Sequence, residues 1–188
     1  MNFPEYINQI VSLNPNNQKK LLAFFQREEY KKGEFLFLQG EICRKVFIIE
    51  KGLARIFYYS EDGKDVTAWF SDEQTPATST DSFFHKKESH NNCEILEDSI
   101  VYSISFDNLE SLLNQNHDFA KIAFHFLSKV TVAIIDFSAN LKFHTAKERY
   151  NHLMQNQPQI FQRVPQVQIA SYLGITPETL SRLRARNN

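Results

Sequence analysis

The chain has 188 residues, 42% of them hydrophobic and 17 of them phenylalanine, enough to bury the core of one large or two small domains. Its formal net charge of −1 excludes a global electrostatic pull toward nucleic acid. Two cysteines, Cys43 and Cys93, are too few for a four-thiolate iron–sulfur site or a cysteine-rich zinc module, and they read as separate reduced thiols in a cytoplasmic protein.

The first residues, Met1 to Tyr6, carry neither a positive start nor an apolar stretch, so no secretory signal is expected. The uninterrupted apolar runs are too short to span a bilayer, and no membrane partner is expected. Residues 4–26 read as helix broken at Asn14 and Pro15, with Ile7, Ile10 and Val11 on one stripe and Leu21, Leu22, Phe24 and Phe25 on another. From about 33 to 106 the pattern changes to short β-type runs: Phe35–Leu38, Val46–Ile49, Ala54–Tyr58, Val66–Phe70 and Ile100–Ile104. Turn residues separate them, among them Gly33, Gly40, Gly52 and Gly63. Several short strands at regular spacing predict an antiparallel β-roll.

Residues 107–141 turn helical again. Phe119, Ile122, Phe126, Val130, Ile134, Phe137 and Leu141 step by three or four and are the expected dimer interface. A second apolar set, Ala123, Leu127, Ala133 and Ile135, widens the stripe. A helix apolar on more than one side needs two things to pack against. The β-domain is one, and a second copy of the same helix is the other, giving a two-fold homodimer. Packing entirely within one chain is the alternative. Thr145 and Glu148 then fit a capping box that opens a helix over 145–157, with Pro158 at its end.

Residues 166–185 look like a helix-turn-helix, the unit that places a short helix in the DNA major groove. Ile169, Ala170 and Leu173 share a helix face, Gly174 suits a left-handed stop, and Thr176 with Pro177 suits the start of the next helix. Leu180 and Leu183 point one way on that helix, while Glu178, Ser181, Arg182 and Ala185 point the other. Arg can take guanine bidentately, and Glu can accept from the cytosine amino group. An ordinary helical hairpin would share part of this pattern. The charge split favours the reader: residues 142–188 carry about +5 and residues 1–141 about −6.

These parts in this order resemble the Crp/Fnr family of bacterial transcription regulators. The stretches that carry the likeness are Gly33 to Phe37, Gln39 to Glu41, Phe47 to Gly52 and Asp62 to Lys64, then Ala146 to Tyr150, Val164 with Pro165, and Ala170 to Arg182. The resemblance implies an α+β fold. An N-terminal antiparallel β-roll, a cyclic-nucleotide-binding-like jelly roll, would occupy residues 1–106 with its leading helices. A long dimerisation helix would occupy 107–141, and a winged helix-turn-helix 142–188. It also implies a sequence-specific, homodimeric DNA-binding regulator on a pseudo-palindromic double-stranded operator. Expected DNA contacts are Gln166, Gln168, Ser171, Thr176, Glu178, Thr179, Ser181, Arg182 and Arg184. Pro177 stands where some members have an Arg, so the preferred site differs from theirs.

Relatives that bind cyclic nucleotides carry a Gly-Glu pair and, about ten residues on, an Arg-Ser pair. Here Thr78 and Ser79 stand at the first position and Ser89 and His90 at the second. A buried phosphate without its Arg would cost several kcal/mol, on the order of an unpaired buried ion, so control by cyclic AMP is not expected. The same four residues are the candidates for another small-molecule effector pocket. Lys86 and Lys87 could supply charge but read as solvated. The spacing of His85, His90 and Cys93 matches no strong metal-ligand motif, so no metal and no cofactor are expected. Phe47, Phe57, Trp69 and Phe70 read as core aromatics, with a small apolar effector as the alternative. No catalytic Ser/His/Asp spacing, phosphate-cradling loop or metal triad is present, so no enzyme is expected. The rival function is a small-molecule or redox sensor acting through protein partners, with weak or no DNA binding.

Overall fold

The computed structural model describes residues 1–187. It divides into two compact units: Met1–Ile56 with Phe70–Val130, and Phe57–Trp69 with Thr131–Asn188.

The first unit opens with two capped helices. In α1, Phe3–Ile10, the Asn2 side chain accepts from Glu5 N–H and the Glu5 carboxylate returns to Asn2 N–H, a full capping box. In α2, Pro15–Ala23, Asn14 caps Asn17 N–H and Pro15 occupies the first turn. Strands follow: β1 Gln26–Tyr30, β2 Phe35–Phe37, β3 Lys45–Lys51, β4 Ala54–Tyr59, β5 Asp65–Ser71, β6 Pro76–Ala77, β7 Asn92–Ile95 and β8 Ser99–Ser105. They form two sheets, ordered β1-β8-β3-β6 and β2-β7-β4-β5. The pairs β1/β8, β3/β8, β3/β6 and β2/β7 are antiparallel. Helix α3, Thr80–His85, interrupts the segment expected to be a polar loop.

All five expected strand runs form. The unforeseen ones, β1, β6 and β7, are short or polar. Gln26–Tyr30 has the sequence QREEY and carries little apolar signal. It is an edge strand held by β8, where the Ser103 hydroxyl donates to Glu28. Charged edge strands are expected where a sheet must not recruit another chain.

The core of this unit joins Phe3, Ile7, Leu13 and Leu21 of the leading helices to Ile48, Ile104, Leu112, Phe119 and Ile122. Phe3 lies 5.0 Å from the Phe25 ring and 4.5 Å from Tyr102. Phe47 and Phe70 are buried here, and Phe57 is buried in the second unit, in line with their expected role as core aromatics.

The helical region after β8 is two helices, not one. Helix α4, Phe106–Leu113, stops at Asn114, and α5, His117–Phe143, begins after Asn116, whose side chain accepts from Asp118 N–H. Three consecutive polar residues, Asn114 to Asn116, supply caps that compete with helix continuation. Although its uninterrupted apolar runs are short, α5 as a whole is long and apolar enough to cross a membrane by length and composition. Lys121, Lys129 and Asp136 lie along it, however, and it gives Phe119 and Ile122 to the core.

Gly52 is the most crowded of the five glycines. At φ +116°, an added Cβ would lie 1.9 Å from Ser99 Oγ and 2.9 Å from Ser99 Cα. Gly40, at φ +85°, has nothing within 4 Å. Gly40→Ala should therefore cost only the left-handed backbone penalty, roughly 1–2 kcal/mol. Gly52→Ala should cost roughly 3 kcal/mol or more, because the neighbouring strand must also move. Urea unfolding midpoints of the two variants against the parent test this ordering.

Candidate nucleic-acid interface

The second unit builds its C-terminal part from four helices: α6 Ala146–Asn156, α7 Ile160–Arg163, α8 Gln166–Tyr172 and α9 Pro177–Asn187. Thr145 caps α6 with the expected box to Glu148. The Thr145 backbone N–H, foremost, and its hydroxyl hold the Glu148 carboxyl below its ordinary range. Tyr150, Leu153, Ile160, Phe161, Val164, Ile169, Ala170, Leu173, Leu180 and Leu183 are buried. The Tyr150 and Phe161 rings meet edge-on at 5.2 Å.

Helices α8 and α9 make the helix-turn-helix. Gly174 at φ +63° takes the left-handed residue that ends α8. Its N–H donates to Ser171 O at 3.0 Å, and Ile175 N–H donates to Ala170 O at 3.0 Å, the paired bonds of a Schellman stop. Arg149 supports the same end: Nε donates to Leu173 O and Nη1 to His144 O, both at 2.8 Å. Thr176 then caps α9, its hydroxyl accepting from Thr179 N–H at 3.3 Å.

The outer face of α9 is open. Glu178, Ser181, Arg182 and Ala185 are exposed, opposite the buried Leu180 and Leu183. Arg182 Nη2 donates to Thr179 Oγ1 at 3.2 Å, a single surface bond that leaves most of the guanidinium's donors unused. The Glu178 backbone N–H, then the Thr176 hydroxyl and the Arg182 charge, hold the Glu178 carboxyl below its ordinary range, so it is anionic at neutral pH. This face therefore presents a carboxylate acceptor, a hydroxyl and a forked cation side by side.

Not every expected contact residue faces outward. Gln166, Thr176, Glu178, Ser181 and Arg182 are exposed, and Thr179 is half-buried beside them. Arg184 is turned in: Nη2 donates to Phe161 O at 3.2 Å and the guanidinium lies 5.6 Å over the Phe161 ring. Gln168 is half-buried, with Oε1 buried and lacking a hydrogen-bond partner among the described residues. Ser171 Oγ accepts from Thr67 N–H of β5 at 2.9 Å and approaches Asp65 O at 3.4 Å. Helical periodicity cannot report such contacts, because the partners lie 23 and 104 residues away. No strand follows α9 among the described residues, so the wing implied by the resemblance is not found there.

The effector-pocket candidates are also committed. The Thr78 hydroxyl donates to Lys45 O at 3.0 Å. Ser79 is buried as the residue before α3. Ser89 is buried, donating from Oγ to Asn91 O at 2.7 Å and accepting from Gly40 N–H at its carbonyl. His90 is exposed. His85 pairs with Asp81 at 2.5 Å on the surface. Burial, with lesser help from Cys43 and Glu94, pushes the Cys93 thiol far up, so it is a protonated core side chain.

The expected dimer residues split. Phe119 and Ile122 are 1% and 5% exposed and belong to the core within one chain, with Phe126 packed against it. Phe137 stacks on Tyr172 at 4.8 Å. Val130 is half-buried. Ile134 and Leu141 are exposed, and so are Phe124, Leu127, Val132 and Ile135. At 100° per residue Phe124, Leu127, Ile134 and Ile135 fall within an arc of about 100° that flanks the arc of Phe119, Ile122, Phe126 and Phe137 on α5. Periodicity finds both stripes, but only burial tells which is spent inside the chain.

Residues 27–116 match the cyclic nucleotide-binding domain family. The chain is 26% identical to the transcriptional activator protein Anr of Pseudomonas protegens, over 94% of this chain and 76% of Anr. Its fold is similar to FixK2 from Bradyrhizobium japonicum, with TM-score 0.69, 19% identity, and 86% and 83% of the two chains covered. It is also similar to CLP of Xanthomonas campestris, described as a c-di-GMP responsive global regulator, with TM-score 0.72, 15% identity, and 92% and 91% covered. Residues 27–116 thus match a cyclic nucleotide-binding domain, and the chain is similar to Anr in sequence and to regulators of known structure in fold. An Arg184→Ala variant should lose stability, by about 1–3 kcal/mol, through its bond and ring contact to Phe161. The base preference of any DNA bound should stay unchanged. Thermal unfolding together with binding to a panel of single-base operator variants checks both halves.

Proposed function

We propose that this chain is a homodimeric, sequence-specific DNA-binding transcription regulator of the Crp/Fnr type that reads a pseudo-palindromic operator and works without cyclic AMP. The observation that carries the reading is the open face of α9. Glu178, Ser181 and Arg182 stand together on a helix whose start is fixed by the Gly174 stop and the Thr176 cap. An Arg and a Glu one turn apart in the first two turns of a recognition helix can read a G·C pair through O6/N7 and the amino group. That Anr is a transcriptional activator supports the same reading.

A second copy is the natural cover for the outer stripe of α5. Phe124, Leu127, Ile134 and Ile135 are each more than half exposed. Apolar residues repeated along one helix face at this density call for a partner helix. A two-fold pair of chains would set two recognition helices about one DNA turn, ~34 Å, apart. Independence from cyclic AMP is supported by the state of the cassette positions. Ser79, Ser89 and Thr78 are buried or bonded within the chain, and none of them carries positive charge.

Arg182→Ala should relax discrimination at one base position of each half-site, at a cost of about 1–3 kcal/mol. Uniform weakening over all sequences would mean that Arg182 touches only phosphate. A Leu127→Glu, Ile135→Glu double variant should sediment as a monomer. It should lose operator affinity by roughly 10²-fold or more, because the two half-sites no longer bind as one. If it remains a dimer in analytical ultracentrifugation, the outer face of α5 is not the interface. Cyclic AMP at millimolar concentration should leave operator affinity unchanged.

A further inference from the structure

The second unit holds a cavity of about 340 Å³ that the DNA-reading face does not use. One wall is aromatic. Phe137 of α5 and Tyr172 of α8 stack at 4.8 Å with their planes 18° apart, and Trp69 of β5 meets them edge-on at 5.9 and 6.4 Å. Burial pushes the Tyr172 phenol well up, so the ring is neutral. Trp69 is only partly buried; it lines this cavity rather than filling a core, which corrects the expectation from sequence.

Other lining residues are polar. Asp136 is among them, exposed and without a hydrogen-bond or ion-pair partner among the described residues. His152 is another, with Nε2 3.0 Å from Asn156 Nδ2 and Nδ1 3.5 Å from Asn140 Nδ2. A neutral imidazole offers one donor and one acceptor, and the amides offer both. Arg149 is the one permanently cationic lining side chain among the described residues, and two of its nitrogens already donate to backbone carbonyls.

These features specify a ligand class. An aromatic wall selects a flat ring. An unspent carboxylate in the lining selects an N–H donor. A mixed amide and imidazole edge selects a heterocycle with both donors and acceptors. The volume lies at the small end of ligand sites, which suits a bicyclic base. The shortage of uncommitted positive charge disfavours a phosphate. We propose that this cavity is a binding site for a planar amino-heterocycle of purine size, separate from the β-roll positions Thr78, Ser79, Ser89 and His90. Tyr172 and Leu173 line it at the end of α8, so an occupant touches the element that sets the turn into α9.

Trp69 is the only tryptophan in the chain, so intrinsic fluorescence of the full-length protein reports on this cavity directly. Titration with adenine should change that fluorescence saturably. Indole, which has the ring but not the acceptor edge, should bind at least tenfold more weakly, as should adenosine 5′-monophosphate. Asp136→Asn removes an exposed, unpartnered charge and should leave the thermal midpoint in place while weakening adenine about tenfold. The proposal is overturned by an absence of saturable change at millimolar adenine. Equal binding of indole, tighter binding of the monophosphate, or an Asp136→Asn variant that binds adenine like the parent would each do the same. None of these readouts needs DNA, so failure here is separate from failure of the regulator reading.

Discussion

The constraint on which this fold depends is that α5 is apolar on two neighbouring faces. One face is consumed within the chain: Phe119 and Ile122 enter the core beside Phe3, Ile7 and Leu21, and further along Phe137 stacks on Tyr172. The other face, with Phe124, Leu127, Ile134 and Ile135, is left open. Burying one such side chain is worth about 1.5–3 kcal/mol, so four of them on each of two copies outweigh much of the entropy lost on association. A bilayer would cover them as well. Yet Lys129 and Asp136 sit mid-helix, and the face flanking the open stripe is already packed against protein. A protein partner satisfies all of these features at once.

The helix-turn-helix depends on a smaller set of bonds. Three donors converge on the end of α8: Gly174 N–H, Ile175 N–H and the Arg149 guanidinium. Together they satisfy the carbonyls that a helix end leaves open. Arg149 also holds His144 O, where α5 gives way to α6. One side chain thus ties the end of the long helix to the turn that aims α9. Charge-assisted bonds of this kind are the stronger ones, and their planar fork fits Arg and not Lys.

Much of this was legible in the sequence because it rests on local rules. Gly174, Thr176 and Pro177 announce a helix stop and start by backbone chemistry alone, and Leu180 and Leu183 set which side of α9 turns inward. The five alternating runs of the β-region read correctly for the same reason. Four features escaped. Strand β1 is charged and owes its existence to β8. Helix α3 lies in a segment whose Thr, Ser and Lys residues look like a loop. Ser171 and Arg184 carry the residue types of phosphate contacts, but one is bound by the Thr67 backbone and the other by Phe161. Finally, a helix with two apolar stripes gives no periodic signal for which stripe faces inward, so periodicity alone puts Phe119 and Ile122 on the wrong side.

The same distinction between residue type and commitment bears on control. In the β-roll, polar side chains at the cassette positions are already engaged, Thr78 with Lys45 and Ser89 with Asn91, as is the neighbouring Ser82 with Cys43 N–H and Lys87 O. A ligand would have to displace bonds that the buried groups cannot recover from water, a cost of about 1–3 kcal/mol for each. The cavity beside α8 has the opposite balance. Its aromatic wall is assembled and its Asp136 carboxylate is uncommitted, so a ligand of matching shape gains that bond without breaking one, although the His152 edge must exchange its bonds to Asn140 and Asn156. A small molecule that regulates this chain meets a free carboxylate next to the turn that aims the reader, and only engaged side chains at the cassette positions of the β-roll.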